Sequence, residues 1–246
     1  MEVIRSKANQ LVKQTKKLHQ KKYRKESYLI EGWHLLDEAL ASGAIIERIF
    51  VLEEFAEKVA GLGSVVFVTR EILIELADSQ TPQGVVAQIA LPKQDLPANL
   101  SGKYLFLEDV QDPGNVGTMI RTADAAGLDA VFISDKSADI YNLKVLRSMQ
   151  GSHFHLPIYR VARGQLLDLC KENQVPVLAT TLSKDSVDYK QVTVPNEFLL
   201  VMGNEGQGIS HEMTQKADQL VHITMPGQAE SLNVAVAAGI LLFSFI

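Results

Sequence analysis

The residues able to do chemistry gather in three short runs, each set directly after an apolar stretch. Residues 108–121 read Glu-Asp-Val-Gln-Asp-Pro-Gly-Asn-Val-Gly-Thr-Met-Ile-Arg, so that Asn115 and Arg121 are separated by five residues. Residues 203–208 read Gly-Asn-Glu-Gly-Gln-Gly and set Glu205 among glycines. Residues 225–233 read Met-Pro-Gly-Gln-Ala-Glu-Ser-Leu-Asn and end on Ser231 and Asn233 at the mouth of a nearly uncharged helix. Short polar side chains cap exposed helix N–H groups there. Glycine lets the backbone turn tightly and approach a ligand closely. Exposed amides at a helix start beside a glycine turn make a natural small-ligand site.

The elements that must position these runs follow from the apolar pattern. Strands are expected over 104–108, 130–134, 177–180, 198–202 and 220–224, with helices over 117–126, 143–149, 164–173, 210–215 and 232–245. Apolar strands alternating with helices imply a parallel sheet covered on both faces. In such sheets ligands collect beyond the strand carboxyl ends, where all three runs lie, so they are expected to form one composite site. The first ~95 residues read as a smaller α/β unit, with a basic helix over about 7–19. Further strands are expected there over 27–30, 45–52, 65–68 and 84–90, and helices over 32–41, 54–60 and 71–76. Two prolines and a closing Ser-Gly in 91–102 mark a boundary. The expected division is 1–95, a linker at 96–102, and 103–246.

Composition limits the classes. The chain has 246 residues, 46% of them apolar, which suits one large globular domain or two small ones. Its one cysteine, Cys170, provides no disulfide framework, so a reducing cytosol is expected. The N-terminus has no apolar signal core, and the apolar stretch at 232–246 is shorter than the roughly 20 residues of a bilayer span. That stretch reads as a helix for a core or a subunit interface. No His, Cys and acid cluster has metal-ligand spacing, so no metal is expected. No Gly-x-Gly-x-x-Gly opens a helix after the first strand, which argues against a dinucleotide-binding domain.

The net charge of −5 is unevenly spread: residues 1–30 hold nine Lys/Arg against two Glu, leaving −12 on the remainder. Lys13, Lys16, Lys17, Lys21, Lys22, Arg24 and Lys25 form a basic stripe beside His19 and Tyr23. That density points to a phosphate-binding surface, without choosing RNA over DNA. His153 and His155 are expected to alternate on a strand.

Asn115 with Arg121, the Gly203–Gly208 run and Pro226-Gly-Gln-Ala-Glu-Ser-Leu-Asn-Val-Ala-Val resemble, in order and spacing, the three motifs of the SpoU (TrmH-type) RNA 2′-O-ribose methyltransferases of the SPOUT superfamily. The resemblance covers roughly residues 103–246, and the N-terminal third resembles the RNA-binding, ribosomal-protein-like domain of longer members. It implies a SPOUT-type α/β domain with a deep trefoil knot near the C-terminus, S-adenosyl-L-methionine as cofactor, a homodimer, and a cytoplasmic enzyme acting on RNA. Ribosomal RNA is the expected target, with tRNA, or an inactive RNA-binding assembly factor, as alternatives. Catalytic residues implied are Arg121, Asn115, Glu205, Ser231 and Asn233; the cofactor pocket is expected from Thr180, Gly203, Asn204, Gly208, Ile223, Met225 and Leu232. A guanidinium ordinarily stays protonated, which favours a phosphate clamp and alkoxide stabiliser at Arg121; a base role stays open. Lys144 and Arg147 join the basic stripe as expected RNA contacts. Glu108 and Asp109 are expected to order the first loop.

Overall fold

The computed structural model describes residues 2–77, 79 and 81–246. In chain order its strands and helices are β1 (Val3–Ile4), α1 (Gln10–Lys16), β2 (Ser27–Glu31), α2 (Trp33–Ala41), β3 (Ile46–Leu52), β4 (Val65–Val68), α3 (Arg70–Ala77), β5 (Val85–Ala90), β6 (Lys103–Leu107), α4 (Pro113–Ala125), β7 (Ala130–Ile133), α5 (Leu143–Met149), β8 (Ile158–Arg160), α6 (Arg163–Glu172), β9 (Val177–Thr180), β10 (Val187–Asp188), β11 (Phe198–Met202), α7 (His211–Lys216), β12 (Gln219–His222) and α8 (Val234–Phe245). They divide into two compact units. The first runs to Lys93 and takes up Asp139–Phe154; the second comprises Gln94–Ala138 and His155–Ile246.

The first unit is a mixed five-stranded sheet in the order β1-β4-β3-β5-β2, with β5 antiparallel to both neighbours. Its membership differs from a division at residue 103, because α5 buries Leu143, Val145, Leu146 and Met149 and packs on β2. The Tyr28 and Tyr141 rings stand 4.5 Å apart, and the Tyr28 hydroxyl lies 2.9 Å from His153 Nε2. The segment around His153 is a short 3-10 turn, Ser152–Phe154, in place of the expected alternating strand; β8 begins only at Ile158. The expected basic helix is cut to α1, which Asn9 caps through Leu11 N at 2.9 Å. Beyond it the chain tightens into 3-10 turns over Lys17–His19 and Lys21–Tyr23.

The second unit is a wholly parallel seven-stranded sheet in the order β10-β12-β9-β11-β6-β7-β8. Its central strands are buried almost throughout, as a sheet covered on both faces requires. On one face Phe106, Phe132 and Val201 meet Leu166, Leu167 and Cys170 of α6. On the other, α8 packs against α4, and the Phe198 and Phe245 rings meet edge to face at 6.0 Å. Each such fully buried apolar side chain contributes about 1.5–3 kcal/mol. The adjacency of β12, β9, β11 and β6 sets where the polar loops emerge. Running parallel, these strands release Ile223, Thr181, Gly203 and Glu108 at one edge of the sheet.

Candidate active site

The helix after β6 starts four residues earlier than its apolar pattern predicts. Pro113 fits the first helical position, where no N–H is needed, and Asp112 is the cap, accepting from Asn115 N at 2.9 Å. Asn115 is therefore not the cap but lies inside the first turn, which frees its amide. That amide joins all three runs. Asn115 Nδ2 donates to Glu205 Oε1 at 3.2 Å, and Asn115 Oδ1 accepts from Asn233 Nδ2 at 3.0 Å. Asn233 also caps α8 through Ala235 N at 2.9 Å and Val236 N at 3.3 Å.

Glu205 accepts further from Gln111 N at 3.1 Å and Asp112 N at 2.9 Å. Partial burial pushes its carboxyl up, but the amides of Asp112 and Gln111 and the Asn115 side chain outweigh this and hold it below the usual carboxylate range. A carboxylate ordered by amides is the charged form the loop geometry favours. Glu205 thus orders the first loop. Asn204 folds its own loop, accepting from Gly206 N and Gln207 N at 3.0 Å each while donating to Asp109 O at 2.8 Å. Asn204 and Gly208 exchange backbone hydrogen bonds across this turn, with Gly208 at φ +69°. A side chain at Gly203 would put its Cβ 2.3 Å from the Gly208 carbonyl carbon, so only glycine fits there.

The Gly203–Gly208 and 225–233 loops, with the end of β9, wall a cavity of about 770 Å³. Thr180, Gly203, Asn204, Gly208, Ile223, Met225 and Leu232 all lie on its wall, as do Glu205, Ser231 and Asn233. The lining mixes apolar side chains with glycine backbone and includes Glu205 and Glu230 but neither Lys nor Arg. A cationic sulfonium with an apolar-edged nucleoside suits that wall. The cavity size falls within the range of about 300–1,000 Å³ usual for small-molecule sites. S-adenosylmethionine therefore fits the residues present: the glycine backbone would accept its close approach, and Ile223 and Leu232 its apolar surface.

Arg121 lies outside this lining, exposed on α4, with no hydrogen bond or ion pair among the described residues. Of the basic stripe, Lys13, Lys17, Lys21 and Lys22 are exposed, while Lys16 pairs with Glu75. Arg24 corrects the sequence expectation. Its side chain is only 5% exposed and pairs with Asp139, and it donates to Leu18 O and His19 O at 2.7 and 2.8 Å. It holds the turn together and is not offered to phosphate. Lys144 and Arg147 are exposed on α5, with Arg147 3.3 Å from Glu31.

Glu108 orders the first loop with a partner that was not foreseen, Arg163. Glu108, 1% exposed at the side chain, forms an ion pair with Arg163 and accepts from Ser210 N at 3.0 Å and Ser210 Oγ at 2.7 Å. Ser210 caps α7 through Met213 N, just past the glycine run. Burial opposes the charge on Arg163, but Glu108, Glu212 and Asp109 outweigh it and raise its pKa. An acid ending an apolar strand was readable as a loop anchor; Arg163, 55 residues away in sequence, carried no local signal.

A parallel sheet whose Gly203–Gly208 and 225–233 loops wall one donor-sized cavity, with the 108–121 loop hydrogen-bonded to both, matches a known class. Residues 102–243 match the family model described as the SpoU rRNA Methylase family, and residues 9–87 the MRM3-like substrate binding domain. The chain belongs to the SpoU rRNA methylase family. Among its relatives, the 23S rRNA (guanosine(2553)-2′-O)-methyltransferase RlmP of Bacillus subtilis (strain 168) is 42% identical over 99% of this chain and 98% of its own length. An AdoMet-bound rRNA methyltransferase from Sinorhizobium meliloti superposes with a TM-score of 0.89 at 33% identity, covering 98% of this chain and 96% of that one. The SpoU methyltransferase AviRb from Streptomyces viridochromogenes, in complex with AdoMet, gives 0.84 at 27% identity, covering 96% of each.

Proposed function

We propose that the chain transfers a methyl group from S-adenosylmethionine to a ribose 2′-hydroxyl of ribosomal RNA, with large-subunit RNA the target suggested by its Bacillus relative. The observation that carries this is the Glu205–Asn115–Asn233 hydrogen-bond chain, which ties the loop leading to Arg121 to the two loops that wall a cavity of about 770 Å³. The cofactor, when bound, supplies an electrophilic methyl group on its sulfonium. Thr180, Gly203, Asn204, Gly208, Ile223, Met225 and Leu232 hold it. Arg121 grips the phosphate beside the target ribose and stabilises the charge that grows on the 2′-oxygen as its proton passes to water. Ser231 and Asn233 orient the ribose. Fixing the hydroxyl in line with the methyl group contributes several kcal/mol.

In this reading residues 1–95 bind the RNA, 96–102 link, and 103–246 carry catalysis in a trefoil-knotted domain. Lys13, Lys16, Lys17, Lys21 and Lys22 meet phosphate, joined by Lys144 and Arg147. The enzyme is a cytoplasmic homodimer. Val236, Phe243 and Ile246, each about half exposed on or just past α8, supply an apolar face for the partner, which completes the site beside Arg121. Among the described residues no helix is long and apolar enough to cross a membrane.

The test is incubation of the protein with methyl-labelled cofactor and, separately, ribosomal RNA and tRNA, followed by digestion to nucleosides. Label in a 2′-O-methylnucleoside from ribosomal RNA is expected. Label in a methylated base contradicts the reading, and label confined to tRNA moves the target.

A further inference from the structure

We propose that the first unit carries a recess for one unpaired RNA nucleotide, with Tyr23 as its stacking shelf and Arg48 as its hydrogen-bond donor. This rests on the RNA reading above. A cavity of about 340 Å³ opens beside the Lys21–Tyr23 turn, with Leu11, Leu18, Tyr23, Ser27, Arg48 and Gln88 in its wall. Its size lies near the lower end of the range for small-molecule sites, about 300–1,000 Å³. That is room for one nucleotide and too little for a duplex.

The polar wall is built in advance. Gln88 is 8% exposed, and its Nε2 donates to Ser27 Oγ at 2.8 Å and Glu47 Oε2 at 2.6 Å. That fixes Gln88 Oε1 as an acceptor, and Arg48 Nη1 donates to it at 3.2 Å. Arg48 is half-buried and has no ion pair among the described residues. A guanidinium carries five N–H donors, so most remain for a ligand. Bases offer carbonyl and ring-nitrogen acceptors that a guanidinium fork fits.

The aromatic shelf is set just as firmly. Arg24 ties the turn to Leu18 O and His19 O, leaving the Tyr23 side of the turn open, with the residue 43% exposed. Lys22 Nζ and Lys17 Nζ stand 4.9 and 5.6 Å from the ring centroid. An exposed lysine over an aromatic ring is held weakly, and a stacked base is held more strongly. An incoming base therefore displaces an ammonium, which is then free for the adjoining phosphate. Lys25, also on the cavity wall, adds a second cation.

The test uses the full chain and a labelled single strand of roughly ten ribonucleotides, the scale of one binding groove, against a blunt duplex of the same sequence. Tyr23→Ala and Arg48→Met are each expected to weaken binding of the strand about tenfold, with Tyr23→Phe near the parent and duplex binding unchanged. Equal losses on strand and duplex, or no loss, overturn the recess; a free mononucleotide that competes as tightly as the strand binds overturns RNA as its occupant. Calorimetric titration of S-adenosylmethionine on the same samples separates the two readings. Normal donor binding without the strand effect rejects the recess alone, whereas a parent protein that binds no donor rejects the methyltransferase reading itself.

Discussion

Asn115 uses both ends of its amide, giving to Glu205 and receiving from Asn233, so changing only its donor end is informative. Asn115→Asp would replace an N–H with an oxygen facing the Glu205 carboxylate. Like charges in contact repel, and kcat/KM is expected to fall by about tenfold or more, the equivalent of ~1.4 kcal/mol. Kinetics near the parent value would remove the amide from the site's architecture. Glu205 adds a pH signature. Its carboxyl is held below the usual range in the folded chain, so its stabilising contribution is full above the unfolded value and is lost as pH falls through the folded one. Melting of the parent relative to Glu205→Gln should therefore show a constant advantage at neutral pH that shrinks only in acid. An advantage that shrinks toward alkaline pH would contradict the assignment. At this scale the three runs were legible from residue type and spacing. What they could not show is partnership: Asn115 reads equally as a cap, and only the helix start at Pro113 decides otherwise.

Among the elements, β6 and β11 place the first two runs side by side, and Glu108 locks the arrangement from beneath. Removing the carboxylate with Glu108→Ala takes from Arg163 its closest counter-charge and from Ser210 its acceptor, but Glu212 and Asp109 stay beside the guanidinium, so the loss is expected to fall short of the ~3–5 kcal/mol of a fully buried broken pair. Glu108→Gln keeps an acceptor for Ser210 and should cost less. Denaturant unfolding checks the ranking; equal stability for both variants would deny Glu108 its anchoring role. Strands β4, β9 and β11 and helix α5 match their sequence ranges because they are apolar and sharply bounded. β1 and β10, each of two residues, carry no periodicity, and β8 is too short to show one. They exist because a longer neighbour offers its edge, which is a fact of tertiary pairing.

For the whole molecule, the sequence separated a basic N-terminal unit from a catalytic one but could not foresee that Asp139–Phe154 joins the first, since α5 finds its partner in β2 through packing across more than a hundred residues of chain. The exposed apolar side of α8 is legible as an unpartnered face, and a second copy is its proposed occupant. Phe243→Glu is expected to yield a monomer in sedimentation equilibrium with loss of methyl transfer, and an unchanged dimer would move the interface elsewhere. In the proposed division of labour the cavity holds the donor, and Arg121, outside it, acts on the RNA. The most direct test of that division is paired measurement of S-adenosylmethionine affinity and methyl transfer in Arg121→Ala. Donor affinity is expected to stay within about twofold of the parent, less than ~0.5 kcal/mol, with transfer abolished. Donor affinity lost together with transfer would put Arg121 in the pocket and contradict that division.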